Sequence, residues 1–228
     1  LATIAFATLG VLASLELRRL LAYLVVLSAG TLILALGIGS GVATSAALYY
    51  TLNSTLVGGG LFLLAGLVAA ERGAAGTRVD RQEPVLQPFF LGGLFFFGAL
   101  GIAGLPPLAG FAAKLYLLQS AFGHPAAGWV FAVVLVAGLL VILSLSRAGS
   151  AIFWRTGDSA TSGERSSTLQ LVASALLLSS SALLMLGGGA VTRYTQATAA
   201  QLADHNIYID AVMSNSGVVD FPKPGEGP

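Results

Sequence analysis

The sequence contains no cysteine. That excludes a disulfide framework, a thiolate nucleophile and any cysteine-ligated cluster. Charge is scarce as well. Only 9% of the 228 residues are Asp, Glu, Lys or Arg, against about 25% in soluble domains. Eleven basic and ten acidic residues leave a net charge of +1, so no basic field exists to hold nucleic acid. The two histidines, His124 and His205, lie in a turn and in a polar tail, where both read as solvated side chains. There is no Ser/His/Asp arrangement and no cluster of metal ligands. "GIGSG" at 37–41 has no βαβ unit around it, so it is not a nucleotide loop. No catalytic set and no cofactor are expected. A signal peptide is not expected either, since no basic stretch precedes the apolar start and no processing site follows it.

What the chain does have is apolar length. Hydrophobic residues make up 56% of it, and the mean hydropathy is +0.86. Several uncharged runs reach or approach the roughly 20 residues that a bilayer-spanning helix needs. The fold class expected is all-α, a polytopic integral membrane protein with six spans. Turn and charge signals divide it. Residues 1–15 open in mid-run and read as the end of a partial first span. Spans are then expected over 16–37, 42–70, 86–122, 129–147 and 168–187. Residues 1–187 form the membrane domain. Residues 188–213 read as an amphipathic surface helix with Tyr194, Ala197, Leu202 and Ile209 as apolar contacts, and 214–228 as a disordered tail. Trp129 and Trp154 suit an interfacial aromatic belt. Gly58, Gly59 and Gly60 suit close helix packing.

The 86–122 run decides the topology. As one straight helix it would measure roughly 55 Å, far more than a hydrocarbon core of about 30 Å. Gly104, Pro106, Pro107 and Gly110 interrupt it. Taken as a single span broken near 104–110, it places Arg18, Arg19, Arg72, Arg78, Arg81, Arg147, Arg155 and Arg165 on one side, leaves the turns at 37–41 and 123–128 without Arg or Lys, and puts only one arginine, Arg193 after the final span, on the other. Cytoplasmic loops are enriched in Lys and Arg. Loops 16–19, 71–84 and 148–166 are therefore expected in the cytoplasm and the C-terminus outside.

Lys114 is the only lysine in the first 222 residues, and it stands just after the interruption. Charge at the bilayer centre costs at least about 2.5–3.5 kcal/mol on insertion scales. Broken backbone at that depth is tolerated only where protein or water surrounds it, and ion transporters use such breaks. An amine balanced between burial and polar neighbours can take up and release protons, and that is the role expected of Lys114. Snorkelling to an interface is the competing structural reading, but about 12 Å separate Lys114 from the end of its helical half. Tyr49, Tyr50, Asn53, Ser54 and Thr55 put hydroxyls and an amide into the 42–70 span. They could hold a water wire or serve interhelical hydrogen bonds. Arg18 and Arg19 read first as cytoplasmic anchors.

Three stretches together resemble the antiporter-like membrane subunits shared by respiratory NADH–quinone oxidoreductase and Mrp-type cation/proton antiporters. They are "ELRRLLAYLVVLSAG" (16–30), "ALYYTLNSTLVGGGLFLLAG" (47–66) and "GIAGLPPLAGFAAKLYLLQSAF" (101–122). The resemblance implies that Lys114 is a terminal proton carrier and that Arg18 is a basic channel residue. Many members carry His and Lys where Ser54 and Gly58 stand. "NSTL", with Asn53 in the place of a histidine, and the tail "YTQATAAQLADHNIYIDAVM" are similar to the D-type subunit of Mrp-type antiporters, which exchange Na+ or K+ for protons. The family has fourteen helices in two inverted five-helix repeats, so this chain would supply the last six. The implied partners are the other antiporter subunits, protons, Na+ or K+ and the bilayer of a bacterial inner membrane. It would not be an enzyme. Two alternatives are a membrane-arm pumping subunit of an NADH–quinone oxidoreductase or hydrogenase complex, and a structural membrane scaffold.

Overall fold

The computed structural model describes residues 1–81, 83–154, 163–204 and 212. These residues form eight α-helices: α1 (Ala2–Ala13), α2 (Leu17–Ile38), α3 (Gly41–Arg72), α4 (Pro88–Ala103), α5 (Ala109–Ser120), α6 (Ala127–Gly149), α7 (Thr168–Leu186) and α8 (Gly188–Ala203). A 3₁₀ turn (Gly73–Ala75) extends α3, and a π-helical turn (Ser150–Trp154) extends α6. No strand occurs among the described residues. Four helices, α2, α3, α6 and α7, are long and apolar enough to cross a membrane. The chain is a multi-pass membrane protein. The expected tail at 214–228, Arg155, His205 and Ile209 lie outside the described residues.

Local chemistry sets the helix ends. Ser40 caps α3 by accepting from Ala43 N at 3.1 Å, and Ser167 caps α7 by accepting from Gln170 N at 3.4 Å. Serine is favoured at this position because its hydroxyl takes one of the first turn's orphan N–H groups. Pro88 opens α4, where its missing N–H costs nothing.

The described helix ends fall into two groups, with α3 at the centre touching α2, α4, α5, α7 and α8. The C-terminal end of α3 is heavily tied. Leu17 N donates to Thr77 O and Val79 N to Leu15 O, both at 2.9 Å. Arg147 donates to Leu12 O at 2.8 Å and Ser14 O at 3.0 Å. Buried Glu71 accepts from Gln87 N at 2.9 Å, Gln87 Nε2 at 2.8 Å and Ser166 N at 3.2 Å. Arg72, 1% exposed, donates to the carbonyls of Glu83, Gly76, Arg78 and Arg81 at 2.9, 3.2, 2.7 and 2.6 Å. A rigid five-donor fork is suited to gathering several carbonyls of one loop. Outside the helices, Arg78 and Asp80 form an exposed ion pair at 2.7 Å. The Arg78 guanidinium lowers the Asp80 carboxyl below its ordinary range.

At the N-terminal end of α3 fewer side-chain ties fall among the described residues. Ser45 Oγ meets Thr195 Oγ1 at 2.9 Å, and Tyr49 OH donates to Leu184 O at 3.0 Å. α8 differs from expectation here. It buries Thr195 and Ala199, while Tyr194, Ala197 and Leu202 face outward. The Ser45–Thr195 contact draws α8 against α3, and small side chains fit that approach better than Tyr or Leu. Of the three consecutive glycines, Gly60 is the one in close contact with α7, where it seats Leu178.

Candidate functional site

The site lies where the fourth apolar run, 86–122, stops being helical. α4 begins beside Glu71, at one end of α3. α5 ends near Gln119, which lines a groove with Gly41 and Ser45 at the other end. Between them, α4 stops at Gly104, whose φ of 78° is left-handed, a conformation glycine adopts without a Cβ penalty. Leu105, Pro106, Pro107 and Leu108 connect the two helices. α5 then passes very close to the end of α4. A Cβ at Gly110 would collide with Gly101 O and stand 3.1 Å from Asn53 Nδ2. Only a residue without a side chain allows this approach.

A helix that ends buried away from water, as α4 does at Ile102 and Ala103, leaves four carbonyls to satisfy. Here each has a donor. Leu100 O accepts from Gly104 N at 3.1 Å and from Leu105 N at 3.0 Å. Gly101 O accepts from Asn53 Nδ2 at a long 3.4 Å. Ile102 O and Ala103 O accept from Lys114 Nζ at 3.4 and 2.5 Å. Lys114 thus acts as a C-terminal cap supplied by the following helix. A cation there also meets the negative end of the α4 dipole, worth up to ~2 kcal/mol in a partly buried setting. The sole ion pair among the described residues is Arg78–Asp80, so the dipole and carbonyls are what the ammonium faces.

The network continues into two neighbours. Asn53 Oδ1 accepts from Ser181 Oγ of α7 at 2.6 Å. Gly101 O can only accept, so the amide must turn its NH₂ toward α4. On the other side, Lys114 borders a cavity of about 10 Å³, lined also by Ser28, Thr31 and Tyr50, which is room for about one water molecule. Ser28 Oγ and Tyr50 OH meet there at 3.1 Å. An ammonium carries three donors. Two engage α4, which leaves one for this cavity.

The structure therefore brings Lys114, Tyr50, Asn53, Gly104 and Gly110 together. It does not bring Ser54 and Thr55 to them. Thr55 is exposed and Ser54 Oγ donates to Thr51 O at 3.3 Å on the outer face, since one and two steps of 100° carry them off the face of Asn53. Pro106 and Pro107 lie in the connection between α4 and α5. Arg18 sits exposed in the first turn of α2, with its guanidinium 4.0 Å from the position a Cβ would take on Gly66, and does not line the Lys114 cavity. His124 Nδ1 accepts from Ala126 N at 3.1 Å within its turn. Sequence reasoning misses Ser28 and Ser181. Asn53, Tyr50, Tyr49 and Ala46 share one helical stripe, a signal that singles out Asn53 over Ser54. Replacing Asn53 by leucine strands Gly101 O and Ser181 Oγ. It is expected to cost roughly 1–3 kcal/mol, read as a lower thermal unfolding temperature of the full-length subunit. An unchanged temperature removes Asn53 from the network.

An interrupted apolar run with a lysine at the interruption, inside a bundle of apolar helices, is the arrangement that the resemblance to antiporter-like membrane subunits implies. The chain belongs to the family described as NADH:quinone oxidoreductase/Mrp antiporter, TM, whose model matches residues 1–142. It is 32% identical to the D-type subunit of a probable K(+)/H(+) antiporter of Rhizobium meliloti, over 93% of this chain and 44% of that protein. It is 29% identical to the D-type subunit of the Na(+)/H(+) antiporter of Alkalihalophilus pseudofirmus, over 92% of this chain and 43% of that one. The Mrp complex from Dietzia sp. DQ12-45-1b has the same fold, with a TM-score of 0.77 at 24% identity over 93% of this chain and 47% of that one. The chain thus spans less than half the length of these relatives.

Proposed function

We propose that this chain is the C-terminal part of a proton-translocating D-type subunit of a multisubunit cation/proton antiporter, and that Lys114 relays the protons. The observation that carries the reading is the position of its ammonium. It sits at the carbonyl end of α4 and borders a water-sized cavity with Ser28 and Tyr50. Losing a proton there removes one charge and loosens the cap on α4, so protonation and helix geometry are linked. α4 and α5 together act as one crossing interrupted at 104–108, for a total of six crossings with the first partial. Their opposite ends reaching opposite ends of α3 support this. The arginine-rich end faces the cytoplasm of a bacterial cell, and α8 lies on the outer face. The other antiporter subunits, protons, and Na+ or K+ are the partners, and the similarity to the D-type antiporter proteins supports that choice.

The test is Lys114→Ala in the full-length subunit, assembled and reconstituted in vesicles. Exchange driven by a pH gradient is expected to disappear while the complex still assembles. Normal exchange by that variant refutes the role.

A further inference from the structure

The last turns of α4 rest in a seam between α3 and α7. A Cβ on Gly98 would collide with Leu61 and Leu178, and one on Gly101 would stand 3.4 Å from Ser181 Oγ and from both methyls of Val57. Ser181 and Asn53 close this seam, the first fully buried and the second 1% exposed. The Ser181 hydroxyl donates to Asn53 Oδ1, and the Asn53 amide donates to Gly101 O. α7, the last long apolar helix among the described residues, thus reaches the backbone of α4 through one side chain of α3.

The two carbonyls after Gly101 O are the ones that Lys114 takes. Two side chains of different kinds therefore cap the end of α4. Lys114 can lose a proton. Asn53 cannot, and neither can the serine that holds it. Once Lys114 is a neutral amine it has two N–H groups and a lone pair. It can no longer serve both carbonyls and still turn a donor to the cavity. The bond from Asn53 to Gly101 O does not change with that proton. Other titrating groups near α5 are few. α3 faces it with Tyr49 and Tyr50, and α4 and α7 contain no titratable side chain. α2 brings Ser28 and Thr31 to the cavity, and α6 brings only apolar residues.

We propose that Ser181 and Asn53 are positioning residues for the relay, a clamp tying α7 to the end of α4 that keeps Ile102 O and Ala103 O in place while Lys114 is neutral. The purpose of the clamp rests on the proton-relay reading above. Carbonyls held in place also favour the ammonium over the amine, so without the clamp Lys114 releases its proton at lower pH.

The test is Ser181→Ala in the full-length subunit, assembled and reconstituted in vesicles, with exchange rates followed across pH. On the acid side Lys114 stays protonated and caps α4 by itself, so the loss there is expected to be small. The alkaline limb is expected to move to lower pH by roughly half to one pH unit, the size of one lost hydrogen bond. Asn53→Leu should do the same, and the double variant should move the limb no further than Asn53→Leu alone, because both break one chain of bonds. Leu178→Ala is the structural control. It loosens the packing of α3, α4 and α7 without touching the clamp, and should lower the amount of complex with the limb unmoved. A second readout needs no transport. The amides of Gly104 and Leu105 both donate to Leu100 O. In the assembled complex they should exchange hydrogen several-fold faster in Ser181→Ala than in the unsubstituted subunit at the same pH. The proposal is overturned if these amides keep their protection. It is also overturned if Lys114→Arg abolishes exchange and the Ser181→Ala limb stays in place or moves no more than that of Leu178→Ala. Normal exchange by Lys114→Arg, with the amides still freed in Ser181→Ala, would end the relay reading and leave the clamp standing.

Discussion

Replacing Lys114 by arginine in the full-length subunit is expected to leave the complex assembled and to abolish proton-coupled cation exchange. Arginine keeps the positive charge and offers five donors, so it can still cap Ile102 O and Ala103 O and face the α4 dipole. It does not deprotonate in proteins. The substitution therefore removes the chemistry and preserves the structural duty. Lys114→Met is the complement. It removes both, stranding two carbonyls at a cost of about 1–3 kcal/mol each before relaxation. Initial rates of gradient dissipation in vesicles are expected to fall to those of protein-free vesicles for both variants. The thermal unfolding temperature should drop for methionine and hold for arginine. If the arginine variant exchanges ions at the normal rate, capping alone explains why a lysine is there.

The second large effect is on stability. Arg72→Ala removes the donors from four carbonyls of the 76–83 loop at once. Water can reach part of that loop, which limits the loss to roughly 2–4 kcal/mol. The unfolding temperature of the full-length subunit in detergent should fall, and protease should cut between residues 76 and 87 sooner. Arg72→Lys should rescue little, because a single ammonium cannot span four acceptors as the planar fork does. An unmoved unfolding temperature would mean that the loop is held by the Leu15–Val79 and Leu17–Thr77 contacts alone.

Much of the helix map can be read from composition, because a chain with 9% charge signals its loops wherever charge appears. α2, α3, α6 and α7 fall within two residues of the expected spans. The interruption is legible for a covalent reason: prolines at 106 and 107 and glycines at 104 and 110 each leave a mark in the letters. Lys114 stands out by isolation. The rest depends on distance in sequence. Ser181 reaches Asn53 across 128 positions, and Ser45 reaches Thr195 across 150, and no local pattern encodes either. Composition groups Ser54 and Thr55 with Asn53, where helical angle separates them. The large apolar residues of α8 dominate its sequence pattern, but the contact with α3 selects its small ones.

The two ends of α3 differ in how they are fastened, and that difference has a mechanical consequence. At one end, Arg72, Glu71 and Arg147 lash loops and helix termini into a single unit. At the other, the side-chain hydrogen bonds from α3 to α8 and to the end of α7 among the described residues are one hydroxyl pair and one from Tyr49. A bundle built this way yields first at its loosely held rim. Any breathing that admits solvent to the interior would begin beside Ser45 and Tyr49, while the stitched end stays still as the anchor against which the rim moves.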